Sequence, residues 1–261
     1  MAKGAKMITN PKNTWLNKVP EVTLFFWLIK MMSTTVGETA ADFLNMDLGW
    51  GLTYTTLLTF VLFIISLVTQ LRTTRYIPSI YWTTVLLISV FGTLVTDNLT
   101  DHFAVPLSLS SGVFGALLIL TFVLWYNEEH TLSIHSITTR KREIFYWVAI
   151  LFTFSLGTAA GDWLSEGLDL GYMNAAALFG AGIGLTAIAF YRFRANSITC
   201  FWVAYILTRP FGASCGDLLS QSEGNGGFGL GTTGTSVIFL LIIISLIGYL
   251  TFRHKMDALE K

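Results

Sequence analysis

Four aspartates stand at matching places in this chain. The spacing Trp27, Gly37, Asp42 recurs as Trp82, Gly92, Asp97, as Trp147, Gly157, Asp162 and as Trp202, Gly212, Asp217. The units are offset by 55, 65 and 55 residues, a regularity that chance does not produce. Carboxylates brought close together cannot all stay ionised and unpaired. Two unit charges 4 Å apart cost about 4 kcal/mol at an effective dielectric near 20. Such a cluster takes up protons, holds a cation or pairs with internal bases. Oxygen-rich ligands suit hard cations such as magnesium, calcium or manganese better than zinc or copper.

The aspartates belong to a longer stripe. With each motif glycine counted as zero, positions −3, +1, +5 and +9 fall on one face of a helix. They read Thr34, Glu38, Asp42, Met46; Ser89, Thr93, Asp97, Asp101; Phe154, Thr158, Asp162, Glu166; and Arg209, Ala213, Asp217, Gln221. Asp42, Asp97, Asp162 and Asp217 are therefore the expected cation ligands or proton carriers. Glu38, Thr93, Thr158, Asp101 and Glu166 would supplement them. Small neighbours (Ala40, Ala41, Gly161, Gly216) would let the helices approach closely. Two bases lie within the spans. Lys30 and Arg209 either neutralise nearby acids or act as counter-ions released when a cation or proton binds. The plainer reading of each Asp is a helix-end residue near an interface. A charge there costs less than the roughly 2.5–3.5 kcal/mol of the bilayer centre.

The elements that must carry this stripe are long and apolar. Of 261 residues 53% are hydrophobic and only 12% charged, too few charges to coat a water-soluble domain. Eight spans are expected, near 21–43, 52–71, 77–98, 107–126, 143–164, 173–191, 197–219 and 233–252. They group into repeats at about 21–71, 77–126, 143–191 and 197–252 of one membrane domain, with tails at 1–20 and 253–261. The fold class is all-α, a polytopic bundle of four parallel two-helix repeats with pseudo-symmetry. Alternate connectors hold nearly all the Lys and Arg, and the others hold none. The positive-inside rule then places both termini in the cytoplasm and the ends of the stripes outside. Odd-numbered helices should line the interior and even-numbered ones face lipid. The motif tryptophans read as interfacial anchors, and Pro210 as a kink in the seventh helix. Cys200 and Cys215 share that helix about 22 Å apart, too far to bridge.

Other classes find little support. Zero net charge gives no reason to expect nucleic-acid binding. No phosphate loop, paired-histidine zinc motif or nucleophile constellation is present, so no enzymatic activity and no resident cofactor are expected. The first residues are polar and basic (Lys3, Lys6, Lys12, Lys18), so no cleavable signal peptide is expected.

The run Thr34-Thr35-Val36-Gly37-Glu38-Thr39-Ala40-Ala41-Asp42-Phe43, echoed by Gly157-Thr158-Ala159-Ala160-Gly161-Asp162, resembles a bacterial family of membrane-anchored proteins of unknown function built from four short Gly…Asp repeats. The resemblance covers nearly the whole chain. It departs in the fourth unit, where Arg209-Pro210 precede the glycine and Ala213 follows it. It implies a bacterial inner-membrane location and imports no activity. The residues themselves point to a transporter of a cation, a divalent metal such as manganese, with proton coupling as a variant. The competing reading is a non-transporting membrane scaffold or sensor whose aspartates hold helices together. A membrane enzyme using Asp101, His102, Glu166 or Asp169, and a carrier of small organic cations, are the remaining alternatives. The expected partners are the lipid bilayer and a small cation or proton.

Overall fold

The computed structural model describes residues 17–259, and among them every regular element is helical. The expected tail residues Lys3, Lys6 and Lys12 lie outside the described residues. Eight α-helices follow one another: α1 (Leu24–Asp42), α2 (Leu52–Arg72), α3 (Pro78–Asp97), α4 (Leu107–Glu129), α5 (Arg140–Asp162), α6 (Tyr172–Phe193), α7 (Ser197–Ser220) and α8 (Gly231–Leu259). Their starts follow local chemistry. The Thr23, Thr139 and Asn196 side chains accept hydrogen bonds from first-turn amides of α1, α5 and α7. Pro78 opens α3, where its missing N–H costs nothing. Six helices (α2, α3, α4, α5, α6 and α8) are long and apolar enough to cross a membrane. α1 and α7 are not among them. They carry Lys30, Glu38 and Asp42, and Arg209 and Asp217, respectively.

The four odd-numbered helices form a closed ring: α1 packs on α3, α3 on α5, α5 on α7 and α7 on α1. The motif glycines set its register. A methyl group on Gly37 would stand 2.7 Å from Ser89 Cβ, on Gly92 2.8 Å from Phe154 Cβ, on Gly157 2.6 Å from Arg209 Cβ, and on Gly212 2.7 Å from Thr34 Cβ. Each glycine thus faces position −3 of the next unit, and the last unit returns to the first. Equal positions lie at equal heights around the ring, so the four helices run in the same direction. The bare backbone is what permits this approach.

The even-numbered helices form an outer layer. Each packs on the first helix of the following unit: α2 on α3, α4 on α5, α6 on α7 and α8 on α1. The packed pair is therefore offset by one helix from the sequence repeat. Outward positions of this layer, such as Leu57, Val61, Ile65, Leu120, Leu185 and Leu241, are apolar and exposed. Pro210 sits inside an uninterrupted α7, its ring against the Gly157 backbone.

The tryptophans correct one expectation. Trp82, Trp147 and Trp202 are buried, and only Trp27 is half-exposed. They pack with Tyr81, Tyr146, Phe201 and Trp125 in a cluster that closes the basic end of the ring. Aromatics from four units meeting on one axis bury one another, which an interfacial position would not allow. Burial also pushes the Tyr76 phenol above its ordinary value. It stays protonated while accepting a 3.1 Å hydrogen bond from Trp82 Nε1.

A buried clamp holds the same end. Lys18 Nζ donates to Glu143 Oε2 at 2.6 Å and to the Leu71 carbonyl at 3.3 Å, while Gln70 Nε2 donates to Glu143 Oε1 at 3.0 Å. The segment before α1 is thereby tied to α2 and α5. Glu143→Gln should lower stability by about 1–2 kcal/mol, since it removes the charge from a buried hydrogen-bonded pair and keeps the shape. Thermal melting of the purified protein checks this, and an unchanged midpoint would remove the clamp from the account.

Candidate functional site

The stripe becomes an axial stack of side-chain layers inside the ring. At the basic end, position −11 supplies Phe26, Tyr81, Tyr146 and Phe201, with the Tyr81 and Tyr146 hydroxyls 2.5 Å apart. Position −7 supplies Lys30, Val85, Ile150 and Tyr205, all fully buried. Position −3 supplies Thr34, Ser89, Phe154 and Arg209, again fully buried. The next layers are Glu38, Thr93, Thr158 and Ala213 at +1, then the four aspartates at +5. The axis opens at +9, where Met46, Asp101 and Glu166 are exposed. The stack is a funnel with an acidic mouth and a packed aromatic floor.

Arg209 is the centre of the closed part. Its Nη2 donates to Glu38 Oε2 at 2.9 Å, to Thr158 Oγ1 at 2.7 Å and to Thr93 Oγ1, and its Nη1 approaches the Thr34 carbonyl at 3.4 Å. One guanidinium on α7 therefore bonds to α1, α3 and α5 together. It reaches the +1 residues of all three other units. The fourth +1 residue is Ala213, and a larger side chain there would fill the space the arginine occupies. The departure of the fourth unit from the repeat is thus one coordinated change, long and charged at −3 and small at +1. Among the described residues Arg209 Nε has no hydrogen-bond partner, and neither does the Ser89 hydroxyl at the −3 level.

Above this layer the carboxylates converge. One oxygen each from Glu38, Asp162 and Asp217 lies within 4.8 Å of the others. Glu38, one layer below the motif aspartates, is thus part of the carboxylate cluster. Asp217 is only 7% exposed, and no hydrogen bond from a described residue reaches its carboxyl. In the first three units a π-helical turn follows the motif Asp directly, at Phe43–Asp47, Asn98–His102 and Trp163–Gly167. π turns widen a helix locally and often mark functional positions. Here they begin at the residue after the motif Asp, on the mouth side of the carboxylate layer.

The remaining expected residues sort by depth. Thr93 and Thr158 are in the stack, but their hydroxyls face Arg209 rather than one another. Asp101 and Glu166 are not in the cluster. They stand at the exposed mouth, where Glu166 accepts a 2.8 Å hydrogen bond from Tyr172 Oη. Lys30 pairs with no acid among the described residues. It donates to the Tyr205 carbonyl at 2.9 Å and to Thr208 Oγ1, and it lies 4.0 Å from the Tyr205 ring centre. The Phe154 ring stands 5.7 Å from Lys30 Nζ and 5.7 Å from Arg209 Cζ, between the two cations. Neutralisation of an acid by Lys30 is therefore corrected to a cation held by a carbonyl, a hydroxyl and aromatic faces. Phe154 stands on the stripe read from the sequence, but Tyr205, Tyr81 and Tyr146 lie beyond the four positions taken there. Carrying the stripe back by two more steps of four would have found the three tyrosines.

The charge balance states what this arrangement can do. Among the described residues, Glu38 and the four aspartates meet only two buried bases on the axis, Lys30 and Arg209, and Lys30 lies below Phe154. The carboxylate layer has more acid than base, so it requires protons or a bound cation. Glu38, Asp162 and Asp217 are the residues placed to hold one.

A family model described as a Repeat of Unknown Function (DUF347) matches residues 25–76, 80–131, 145–196 and 200–255, a four-repeat family of the kind the sequence resembles. No curated protein and no solved structure matches the chain.

Proposed function

We propose that this chain, which belongs to the DUF347 repeat family, is a multi-pass membrane protein that transports a cation through its ring of odd-numbered helices. The cation is a divalent metal of manganese type, with protons as the counter-moving or competing species. One observation carries the reading: carboxylate oxygens of Glu38, Asp162 and Asp217 gather within 4.8 Å in a layer short of internal base. Oxygen ligands at this spacing suit a hard ion.

Membrane residence is supported by six long apolar helices and by the exposed apolar outer layer. All eight helices would span. α1 and α7 would cross inside the ring, where their ionisable groups meet one another rather than lipid. The distribution of Lys and Arg supports a cytoplasmic side for the basic end, with both termini, and the family resemblance supports a bacterial inner membrane. The acidic funnel then opens outward. Its floor of Arg209, Phe154 and the tyrosines closes the inward path, and parallel repeats moving against each other would open it.

Asp162→Asn/Asp217→Asn should lose manganese uptake or efflux in cells and in reconstituted vesicles, with the protein still inserted and monodisperse. Unchanged flux in that variant would sink the transport reading. One feature favours a second reading, a static scaffold. Arg209 ties three other helices together, as a purely structural device would. On that reading the double variant changes melting behaviour and no flux exists to be lost.

A further inference from the structure

We propose that Arg209 is a tethered cation that competes with the incoming ion for Glu38. The inference rests on the cation-binding reading above and adds how that site is regulated. Glu38 belongs to two constellations at once. It accepts from Arg209 Nη2 at 2.9 Å, and it is one of the three carboxylates that gather within 4.8 Å. A metal ion held by Glu38, Asp162 and Asp217 would sit beside the guanidinium, positive against positive, and would draw on the same carboxylate. The two cations therefore exclude each other.

The arginine can give way. Thr93 Oγ1, Thr158 Oγ1 and the Thr34 carbonyl also accept from it. These neutral acceptors would keep the guanidinium hydrogen-bonded after Glu38 turns to the ion, and the carboxylates around the ion would still balance its charge. At the −3 level Arg209 Nε and the Ser89 hydroxyl also find no partner among the described residues. The arginine's hydrogen-bonding capacity is not saturated in the arrangement that grips Glu38. A second observation points to the ligand itself. The Asp217 carboxyl is buried to 7% exposure, receives no hydrogen bond from a described residue, and lies in the triad. Such a group is matched only by something absent from the chain.

The threonines acquire an assignment that a ligand reading does not give them. They would act as holders of the displaced arginine, so their effect on ion binding should run through Arg209. This distinguishes them from ligands by a double-variant cycle.

The test is Mn2+ binding to the purified full-length protein in nanodiscs, by calorimetry. Arg209→Gln should tighten Mn2+ binding at least fivefold, while Arg209→Lys, which keeps the charge, should stay within about twofold of the parent. Thr158→Val should weaken binding in the parent and have no effect in the Arg209→Gln background. Should Arg209→Gln fail to fold, Thr158→Val in the Arg209→Lys background reads the same coupling, with a reduced effect expected. Binding in Arg209→Gln equal to or weaker than in the parent overturns the competition, as does a full Thr158→Val effect in either Arg209 background. The site itself is read separately. Asp162→Asn/Asp217→Asn should abolish binding with Arg209 present or absent, and intact binding there overturns the cation reading without reference to the arginine. Absence of Mn2+ binding in the parent and in Arg209→Gln alike overturns both.

Discussion

Glu38→Leu should destabilise the protein by about 3–5 kcal/mol, the usual cost of stranding one member of a buried ion pair. Arg209 is fully buried, and among the described residues Glu38 is the one acid it pairs with. With Glu38 gone, the guanidinium keeps only two hydroxyls and a carbonyl. Because the arginine bonds to α1, α3 and α5, the loss should loosen the whole ring. A melt in detergent would show one transition at lower temperature. Glu38→Gln, which preserves an acceptor, should cost less. Glu38→Leu/Arg209→Leu should recover most of the loss, since an apolar pair replaces an ionic one at small net cost. A double variant as unstable as Glu38→Leu alone would show that the pair is not what the single substitution breaks.

Gly157→Ala should cost about 3 kcal/mol, at the top of the range for overpacking a dense interior. The added methyl would stand 2.6 Å from Arg209 Cβ and 2.9 Å from Pro210 Cδ. Neither can yield. Arg209 is fixed at its far end by three helices, and the proline ring is rigid. One turn along the same helix, Gly161→Ala meets nothing closer than 3.6 Å and should be nearly neutral. The pair forms an internal comparison, since both changes have the same helix propensity gain. Equal melting temperatures for the two variants would show that the α5–α7 approach is looser than the structure has it.

Much of this architecture was legible because it is periodic. Trp, Gly and Asp at fixed spacing revealed four units, and a step of four placed Glu38, Thr93, Thr158 and the aspartates on one face. The helix ends followed from the polar connectors, and α2 and α4 begin at the residues expected. What periodicity could not give is partnership around the ring. Nothing in the order of residues says that Gly157 faces Arg209, or that α8 returns to α1. Nor does the sequence show that Ala213 and Arg209 are one change, because −3 of one helix reaching +1 of three others is a property of the assembled ring. The tryptophans misled for a related reason. A lone membrane Trp is drawn to the interface by its polar N–H, but these rings meet partners from neighbouring units and are buried with them. Lys30 was placed near acids by its depth in the span. Its side chain points down the stack instead, with the Phe154 ring between it and the acidic layer.

The offset of the outer layer bears on where the chain could be cut. Since α8 packs on α1 as α2 packs on α3, the first and last helices are neighbours in the same sense as any two consecutive ones. The covalent order is then one of four equivalent ways to thread the same ring. A circular permutant that joined the tails by a flexible linker and opened the connection between α2 and α3 would keep every helix pair, including α2 on α3, and would lose only the tether between them. It would also explain how such a molecule could arise from separate chains. A lone two-helix copy has little internal packing for its second helix, which packs chiefly on the helix that follows. It could bury that surface only by handing it to another copy. Four identical copies passing one helix to the next would close the circle, and gene fusion would later record the circle as a line.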